Sequence, residues 1–271
     1  MSKLTISDNL KIMGVLNTTP DSFSDGGRFN TTDKAVEQAR QLIADGADIL
    51  DIGGESTRPG SRQVDLPEEI DRTIPLIRAI REFSEIPISI DTSKPGVMQA
   101  AVEAGASMIN SIWALRLDNS MEIAAELGVP VCLMHMQGSP ETMQKNPSYD
   151  DVVTEVRDFL AQHIEIAIQA GIDQKNIVID PGFGFGKSID HNLSLLKALG
   201  SFRELGVPVL AGLSRKSMIG TLLDKPVDQR LYGSLSVAVM AAMLGADILR
   251  VHDVSETNEA ITMVKALKRV S

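Results

Sequence analysis

Cysteine is nearly missing from this chain: Cys132 stands alone in 271 residues. No internal disulfide can form, and a lone thiol inside the apolar run Val129–Met134 reads as a core residue in a reducing compartment. Positive charge is also short. The 26 Lys and Arg against 36 Asp and Glu leave a net charge of −10, which argues against nucleic acid or an acidic membrane surface as the main partner. Long apolar runs are absent too. The longest, Val237–Leu244, falls far short of the roughly 18 residues a membrane span needs, and the polar Met1–Asn9 holds no signal core. A cytoplasmic protein is the expectation.

What remains is a chain that is 43% hydrophobic, enough for one large core. That suits a single α/β barrel over residues 1–271 better than two ordinary domains. The most informative stretch is Ile177–Lys187, IVIDPGFGFGK. Its β-branched start predicts a strand buried on both faces. Pro181 then stops regular structure, and Gly182, Gly184 and Gly186 allow close backbone approach to a ligand. It is not a P-loop, because Pro181 occupies the place of the first glycine.

The same grammar, an apolar strand ending in polar residues, recurs. Eight strands are predicted, at Lys11–Asn17, Ala47–Gly53, Pro87–Thr92, Ser107–Ile112, Pro130–His135, Ile177–Asp180, Pro208–Ser214 and Asp247–His252. Amphipathic helical patterns separate them, from Thr32–Ala44 through Pro67–Phe83, Pro95–Ala104, Asn119–Leu127, Tyr149–Ala170 and His191–Leu199 to Gln229–Leu244. Glu256–Lys268 closes the chain. Gly46, Gly105, Gly128, Gly171 and Gly245 fit C-terminal caps, while Pro67 and Pro95 fit first turns. Gly46-Ala-Asp-Ile-Leu50 returns at Gly245–Leu249, with a looser copy at Gly105–Ile109, as expected of repeated βα junctions. Eight βα units favour a closed (β/α)₈ barrel, with an open doubly wound sheet as the alternative. Residues 2–10 are expected to cover its N-terminal end. Two long loops, Thr18–Thr31 and Glu55–Leu66, follow the first two strands on the catalytic face and read as lids.

Strand ends in such a barrel meet at one mouth. Here they supply Asn17, Glu55 to Arg58, Asp91, Asn110, His135, Asp180, Ser214 to Lys216, and Arg250 to Asp253. Asp91, Asp180 and Asn110 suit the edge of a flat heterocycle rich in N–H donors. Arg250, His252 and Asn17 come from strands that adjoin in a closed barrel, where phosphate is commonly held. Arg offers a fork to phosphate oxygens and Asn an oxygen to a hard cation. Lys216 could be a Schiff-base nucleophile, but Arg215 beside it favours an electrostatic or hydrogen-bonding role. His135 could ligate zinc, yet no second ligand sits at suitable spacing, and a satisfied strand-end histidine is the favoured reading.

These residues lie in longer motifs. Val15–Gly27 (VLNTTPDSFSDGG), Asp51–Gly60 (DIGGESTRPG), Ile90–Pro95 (IDTSKP), Asp180–Lys187, Ser214–Ser217 (SRKS) and Arg250–Asp253 (RVHD) resemble those of the dihydropteroate synthase family, from about Ile12 to Val254. The resemblance implies a (β/α)₈ barrel transferase of folate biosynthesis, a sulfonamide target and usually a homodimer. It would join 6-hydroxymethyl-7,8-dihydropterin diphosphate to 4-aminobenzoate, releasing pyrophosphate. By resemblance, Asn17 contacts Mg²⁺, and Asp91, Asn110, Asp180 and Lys216 hold the pterin. Arg250 and His252 bind the leaving diphosphate. Phe23, Thr57, Arg58, Pro59 and Ser217 build the aminobenzoate pocket, with Phe183 near it and Asp25 and Arg58 in the lids. One departure is Ser111, where the family commonly carries Asp after the strand-four Asn. Two other classes share the pterin pocket. A corrinoid methyltransferase would not need STRPG and SRKS, and a non-catalytic relative would show losses in the lids or at Arg250 and His252.

Overall fold

The computed structural model describes residues 10–18, 28–56 and 64–270. Eight parallel strands, β1 (Lys11–Asn17), β2 (Ile49–Gly53), β3 (Ile88–Asp91), β4 (Met108–Ser111), β5 (Val131–Met134), β6 (Ile177–Asp180), β7 (Leu210–Ala211) and β8 (Ile248–Val251), pair in the order β6-β5-β4-β3-β2-β1-β8-β7. A parallel bridge between Ile179 and Val209 joins the two ends, so the sheet closes into the expected barrel rather than an open sheet.

The helices are α1 (Arg28–Ala44), α2 (Leu66–Arg81), α3 (Pro95–Ala104), α4 (Ser120–Leu127), α5 (Val152–Gln169), α6 (Ile189–Lys197), α7 (Ser217–Leu223), α8 (Leu231–Met243) and α9 (Val254–Lys268). Each of the first six strands is followed by one helix, whereas α7 and α8 both lie between β7 and β8. α7 has no counterpart in the sequence reading. β7 shrinks from the expected Pro208–Ser214 to two residues. The expected cover over residues 2–10 falls almost wholly outside the described residues.

The repeated Gly-Ala-Asp junctions have a physical explanation. Gly46 and Gly245 adopt φ of +96° and +109° and so end their helices in a conformation that disfavours a side chain. The following acid then secures a neighbouring strand. Asp48 Oδ2 accepts from the Ile12 N–H at 2.7 Å, and Asp247 Oδ2 from the Val209 N–H at 2.9 Å. In the looser copy the Ser107 hydroxyl accepts from the Ile88 N–H at 3.2 Å. Each junction therefore fixes the start of a strand and, through it, the register that carries side chains to the far end.

Strand periodicity then stacks the barrel interior in layers. Met13, Ile49, Met108, Cys132, Val178, Leu210 and Ile248 form one buried apolar plug, a residue from each strand except β3, which supplies buried Ser89. Two residues further along the same strands stand Val15, Asp51, Asp91, Asn110, Met134, Asp180, Gly212 and Arg250. The plug is almost wholly apolar, and the layer above it carries charge. Cys132 is thus the core thiol expected of it.

Candidate active site

The centre of the charged layer is Arg250 on β8. Its Nε donates to Asp51 Oδ2 at 2.6 Å and one Nη to Asp91 Oδ2 at 2.8 Å. Among the described residues its second terminal nitrogen has no partner, which leaves one arm of the fork for a ligand. Asp51 also accepts, weakly, from the Asn110 amide at 3.4 Å, and its other oxygen is buried with no partner among the described residues. Asp51 is the residue the sequence reading missed. Its signal was legible, since an Asp inside the apolar strand ILDIG, in step with Ile49, must face the barrel interior.

The fork also changes the expected layout. Arg250, expected with His252 and Asn17 at a phosphate site, lies between two carboxylates. Burial pushes Asp91 up to about 7, with Arg250 opposing and Asp51 and Glu69 adding to the rise. Burial works against the Arg250 charge, yet Asp51 and Asp91 hold its pKa above the ordinary value.

Asp180 ends β6. Its Oδ1 accepts from the Gly182 N–H at 2.7 Å, which fixes the carboxylate at the start of the glycine-rich loop. Burial raises its pKa, with Lys216 and the Gly182 hydrogen bond opposing. A Cβ at Gly212 would lie 3.8 Å from Asp180 Oδ2 and 3.9 Å from Arg250 Cδ, so glycine just after the short β7 leaves room between these two charged groups.

Lys216 reaches the same mouth because Arg215 is turned away from it. Arg215 has a positive φ of 57° and pairs through both Nε and an Nη with Asp253. The Lys216 ammonium donates to the Phe183 carbonyl and lies 4.3 Å from the centre of the Phe185 ring. Burial lowers its pKa to about 8, with Asp180 opposing and Arg250 adding to the fall. Ser217 opens α7 and is exposed. His252 Nδ1 lies 3.0 Å from the Ser214 hydroxyl, and its backbone N–H donates to the same oxygen. Asn17 ends β1; Cβ-less Gly53 adjoins both its Oδ1 and Asp91 Cβ, at 3.5 and 3.6 Å from where a Cβ would stand.

An apolar wall completes the mouth on the β4–β5 side. Ile112, Met134, Met136 and Met143 cluster there, with Trp113 and Phe185 packed against them. Met134 shares the layer of Asp91 and Arg250. Phe183, expected beside a second pocket, is instead fully buried in the main core and offers only its carbonyl; Phe185 is the half-buried ring. Ser111 is buried and its hydroxyl accepts from the Leu115 N–H at 3.1 Å, so it caps the turn after β4. His135 is a satisfied strand-end histidine, as the sequence favoured, with Nδ1 2.9 Å from Lys187 Nζ.

Of the lid residues, Phe23, Asp25, Thr57, Arg58 and Pro59 lie outside the described residues. The base of the second loop is described and is tied by ions. Lys94, just before α3, bonds Glu55 at 2.5 Å and buried Glu69 at 2.6 Å, while Glu55 Oε1 accepts from the Val64 N–H at 3.2 Å. One carboxylate thus fastens both ends of the segment between residues 56 and 64.

Fold and site together define a (β/α)₈ barrel enzyme whose mouth joins hydrogen-bonding groups for a flat polar ring to cations for an anion. The comparisons agree. The pterin binding enzyme family model matches residues 13–252. Dihydropteroate synthase of Escherichia coli K12 is 52% identical over 255 residues, 94% of this chain and 90% of that one. The Xanthomonas albilineans enzyme, solved with 4-aminobenzoic acid, superposes with a TM-score of 0.93 at 50% identity, covering 97% and 95% of the two chains; it has also been solved with 7,8-dihydropteroate. The Yersinia pestis enzyme, solved in a sulfonamide drug complex, gives 0.92 at 48%, covering 96% and 94%. The chain belongs to the pterin-binding enzymes and, within them, to the dihydropteroate synthase family.

Proposed function

We propose that the chain catalyses the transferase reaction of its family at the β-strand C-terminal mouth. It would transfer the dihydropterin-methyl group of 6-hydroxymethyl-7,8-dihydropterin diphosphate to the amine of 4-aminobenzoate, giving 7,8-dihydropteroate and pyrophosphate. The observation that carries this reading is the single charged layer in which Arg250 bridges Asp51 and Asp91.

In this mechanism Asp91, Asn110, Asp180 and Lys216 bind the polar edge of the pterin, and the Met134–Phe185 wall covers a face. The CH₂–O bond breaks first; its electron pair leaves with the diphosphate, and the electron-rich pterin spreads the positive charge. Arg250, through the nitrogen that has no partner among the described residues, and His252 stabilise the departing oxygens, whose charge grows as the bond lengthens. Arg250 also couples the two halves. As it is drawn toward the diphosphate, its hold on Asp91 loosens and that carboxylate is left to face the new cation. The aromatic amine then attacks the methylene carbon, a C–N bond forms and the nitrogen proton passes to solvent. Phe23, Asp25, Thr57, Arg58, Pro59 and Ser217 are proposed for the aminobenzoate side of the mouth, which would exclude competing water.

Mg²⁺ fits the donor set in one way. Asn17 offers a single hard oxygen beside Gly53, and no cluster of three or more His, Cys, Asp or Glu suited to a metal is found among the described residues. The ion would therefore be held by Asn17, diphosphate oxygens and water, and would supply charge neutralisation at the leaving group.

A homodimer goes with this reading. Tyr232, Met240 and Met243 on α8 are exposed, the first by 80%, and Leu222 and Leu223 of α7 and Met263 and Leu267 of α9 are exposed as well. Such a surface suits a second copy. A cytoplasmic setting suits the unpaired Cys132, and no described helix is long and apolar enough to cross a membrane. The test is pyrophosphate release from the pterin diphosphate. Release over many turnovers that needs both 4-aminobenzoate and Mg²⁺ is expected, with a single burst when the amine is left out. Steady release without the amine would refute the transfer, and no burst would refute the order of bond breaking.

A further inference from the structure

Lys187 closes the glycine-rich stretch, yet no step above uses it. It is 3% exposed, and among the described residues no carboxylate bonds to it. Its Nζ lies 2.9 Å from His135 Nδ1 and donates to the carbonyls of Gly182 at 2.9 Å and Phe185 at 3.0 Å, with the His135 carbonyl at 3.4 Å. An ammonium has three protons, so these acceptors use all of them. Burial lowers Lys187 to about 7, with Asp180 opposing. Burial and the Lys187 charge drive His135 down to about 2, so its imidazole is neutral and presents a lone pair.

The segment gathered around this ammonium is anchored at Gly182, whose N–H donates to Asp180 Oδ1, and at Phe183, whose ring lies in the core, while its glycines add no shape of their own. Gly182, Gly184 and Gly186 all have φ between +63° and +78°, a path that glycine allows but does not enforce. Outer ties exist: the Gly184 N–H donates to Asn192 Oδ1 at 2.7 Å, and the Tyr149 hydroxyl donates to the Gly186 carbonyl at 2.8 Å. Lys187 also ties the loop from inside, and among the described side chains it is the one that joins Gly182, Phe185 and the end of β5 at one point. Between those two residues the loop delivers to Lys216 the Phe183 carbonyl and the Phe185 ring. Gly184 is close-packed there, since a Cβ on it would lie 2.9 Å from Lys216 Cδ.

We propose that Lys187, with His135, is a positioning residue for pterin binding. Its ammonium sets the loop so that the Phe183 carbonyl and the Phe185 ring aim Lys216 into the mouth. The inference deepens the reading of Lys216 as a pterin-binding group and rests on it.

The test replaces Lys187 by Met, which keeps the apolar stem and removes charge and donors. Two readouts are taken on the full chain. One is the KM for each substrate. The other is the ¹⁵Nζ signal of Lys216 in ¹⁵N-lysine-labelled protein, assigned through Lys216→Arg. The expected result is a KM for the pterin diphosphate raised at least tenfold, a KM for 4-aminobenzoate within twofold of wild type, and a displaced Lys216 signal with a lower titration midpoint. A pterin KM within twofold of wild type overturns the proposal. So does a raised KM with the Lys216 signal unmoved, since the effect would then not run through Lys216. Should Lys187→Met fail to fold, His135→Leu and His135→Asn decide, because Asn can offer an oxygen where the imidazole offers Nδ1. Leu is expected to displace the Lys216 signal more than Asn, and equal displacement overturns the proposal. The signal needs no turnover, so a wild-type protein that formed no dihydropteroate would sink the reaction assignment while leaving this test intact.

Discussion

Arg250→Met is the most direct test of the charged layer. The side chain that disappears serves two carboxylates, Asp51 at 2.6 Å and Asp91 at 2.8 Å, whose side chains are 0% and 10% exposed. Met fills much of the volume, so the loss is chiefly electrostatic. Removing one partner of a buried pair costs about 3–5 kcal/mol, because the other charge is left uncompensated. We take about 4 kcal/mol, which at roughly 2–4 °C per kcal/mol for a chain of this size lowers Tm by about 12 °C. The pH dependence gives the sharper check. Asp91 already has its folded pKa raised to about 7 from 3.8, so its ionised form disfavours folding, and that cost is fully present only above the folded pKa. Without the guanidinium the folded pKa rises further. The deficit of the variant against wild type is therefore largest at pH 9 and shrinks as pH falls toward 7, where the variant's Asp91 takes up a proton. Urea unfolding of both proteins at pH 9 and pH 6 measures it. A deficit equal at both pH values, or none at all, would refute the idea that Arg250 neutralises this carboxylate.

The remaining expectations are shorter. If ionised Asp91 is needed to bind the pterin and face the developing cation, kcat/KM falls as pH drops through about 7; Asp91→Asn is expected to lose at least 100-fold in kcat/KM and to flatten that limb, and an unchanged limb in the variant would assign it elsewhere. In Gly182→Ala, a Cβ would overlap the His135 carbonyl oxygen at a φ of +71°, so the fold is expected to lose about 3 kcal/mol; denaturant unfolding within 1 kcal/mol of wild type would contradict the close packing of β5 against the loop. Lys94→Met strands buried Glu69 and is expected to cost about 3 kcal/mol in the same assay; a neutral result would mean that the Glu55–Lys94–Glu69 cluster does not hold the base of the second loop.

Local chemistry was legible in the sequence, and distant partnership was not. The strands Lys11–Asn17 and Ile177–Asp180 and the helix Pro95–Ala104 stand where their patterns put them, because a continuous apolar run or a Pro–Gly bracket leaves one conformation. Ser217–Leu223 was missed as a helix because it is short and contains Gly220, so its pattern does not fill two turns. At the mouth, the sequence brought Asp91, Asn110, Asp180, Lys216 and Arg250 to one rim, since parallel strands must end together. It could not show that Arg250 spans 199 residues to Asp51, because no periodicity encodes which strand-end charges meet. The Phe183 and Phe185 exchange has the same origin. In an alternating loop of glycine and phenylalanine, both rings look equivalent until the core takes one of them.

The charged layer depends on the plug beneath it. Seven apolar side chains, Met13 to Ile248, close the barrel directly below Asp51, Asp91, Asp180 and Arg250, so the carboxylates lose solvent from below and retain it only at the mouth. That one-sided burial raises Asp91 to about 7 and lowers Lys216 to about 8, bringing an acid and a base that differ by more than six units in water close together near neutral pH. A site whose ionisations lie so close changes its charge at little cost. Such a site can meet a ring bearing N–H donors in the ground state and a cation in the next instant, which an exposed pair, fixed in its charges, would do only by drawing in water that competes with the amine.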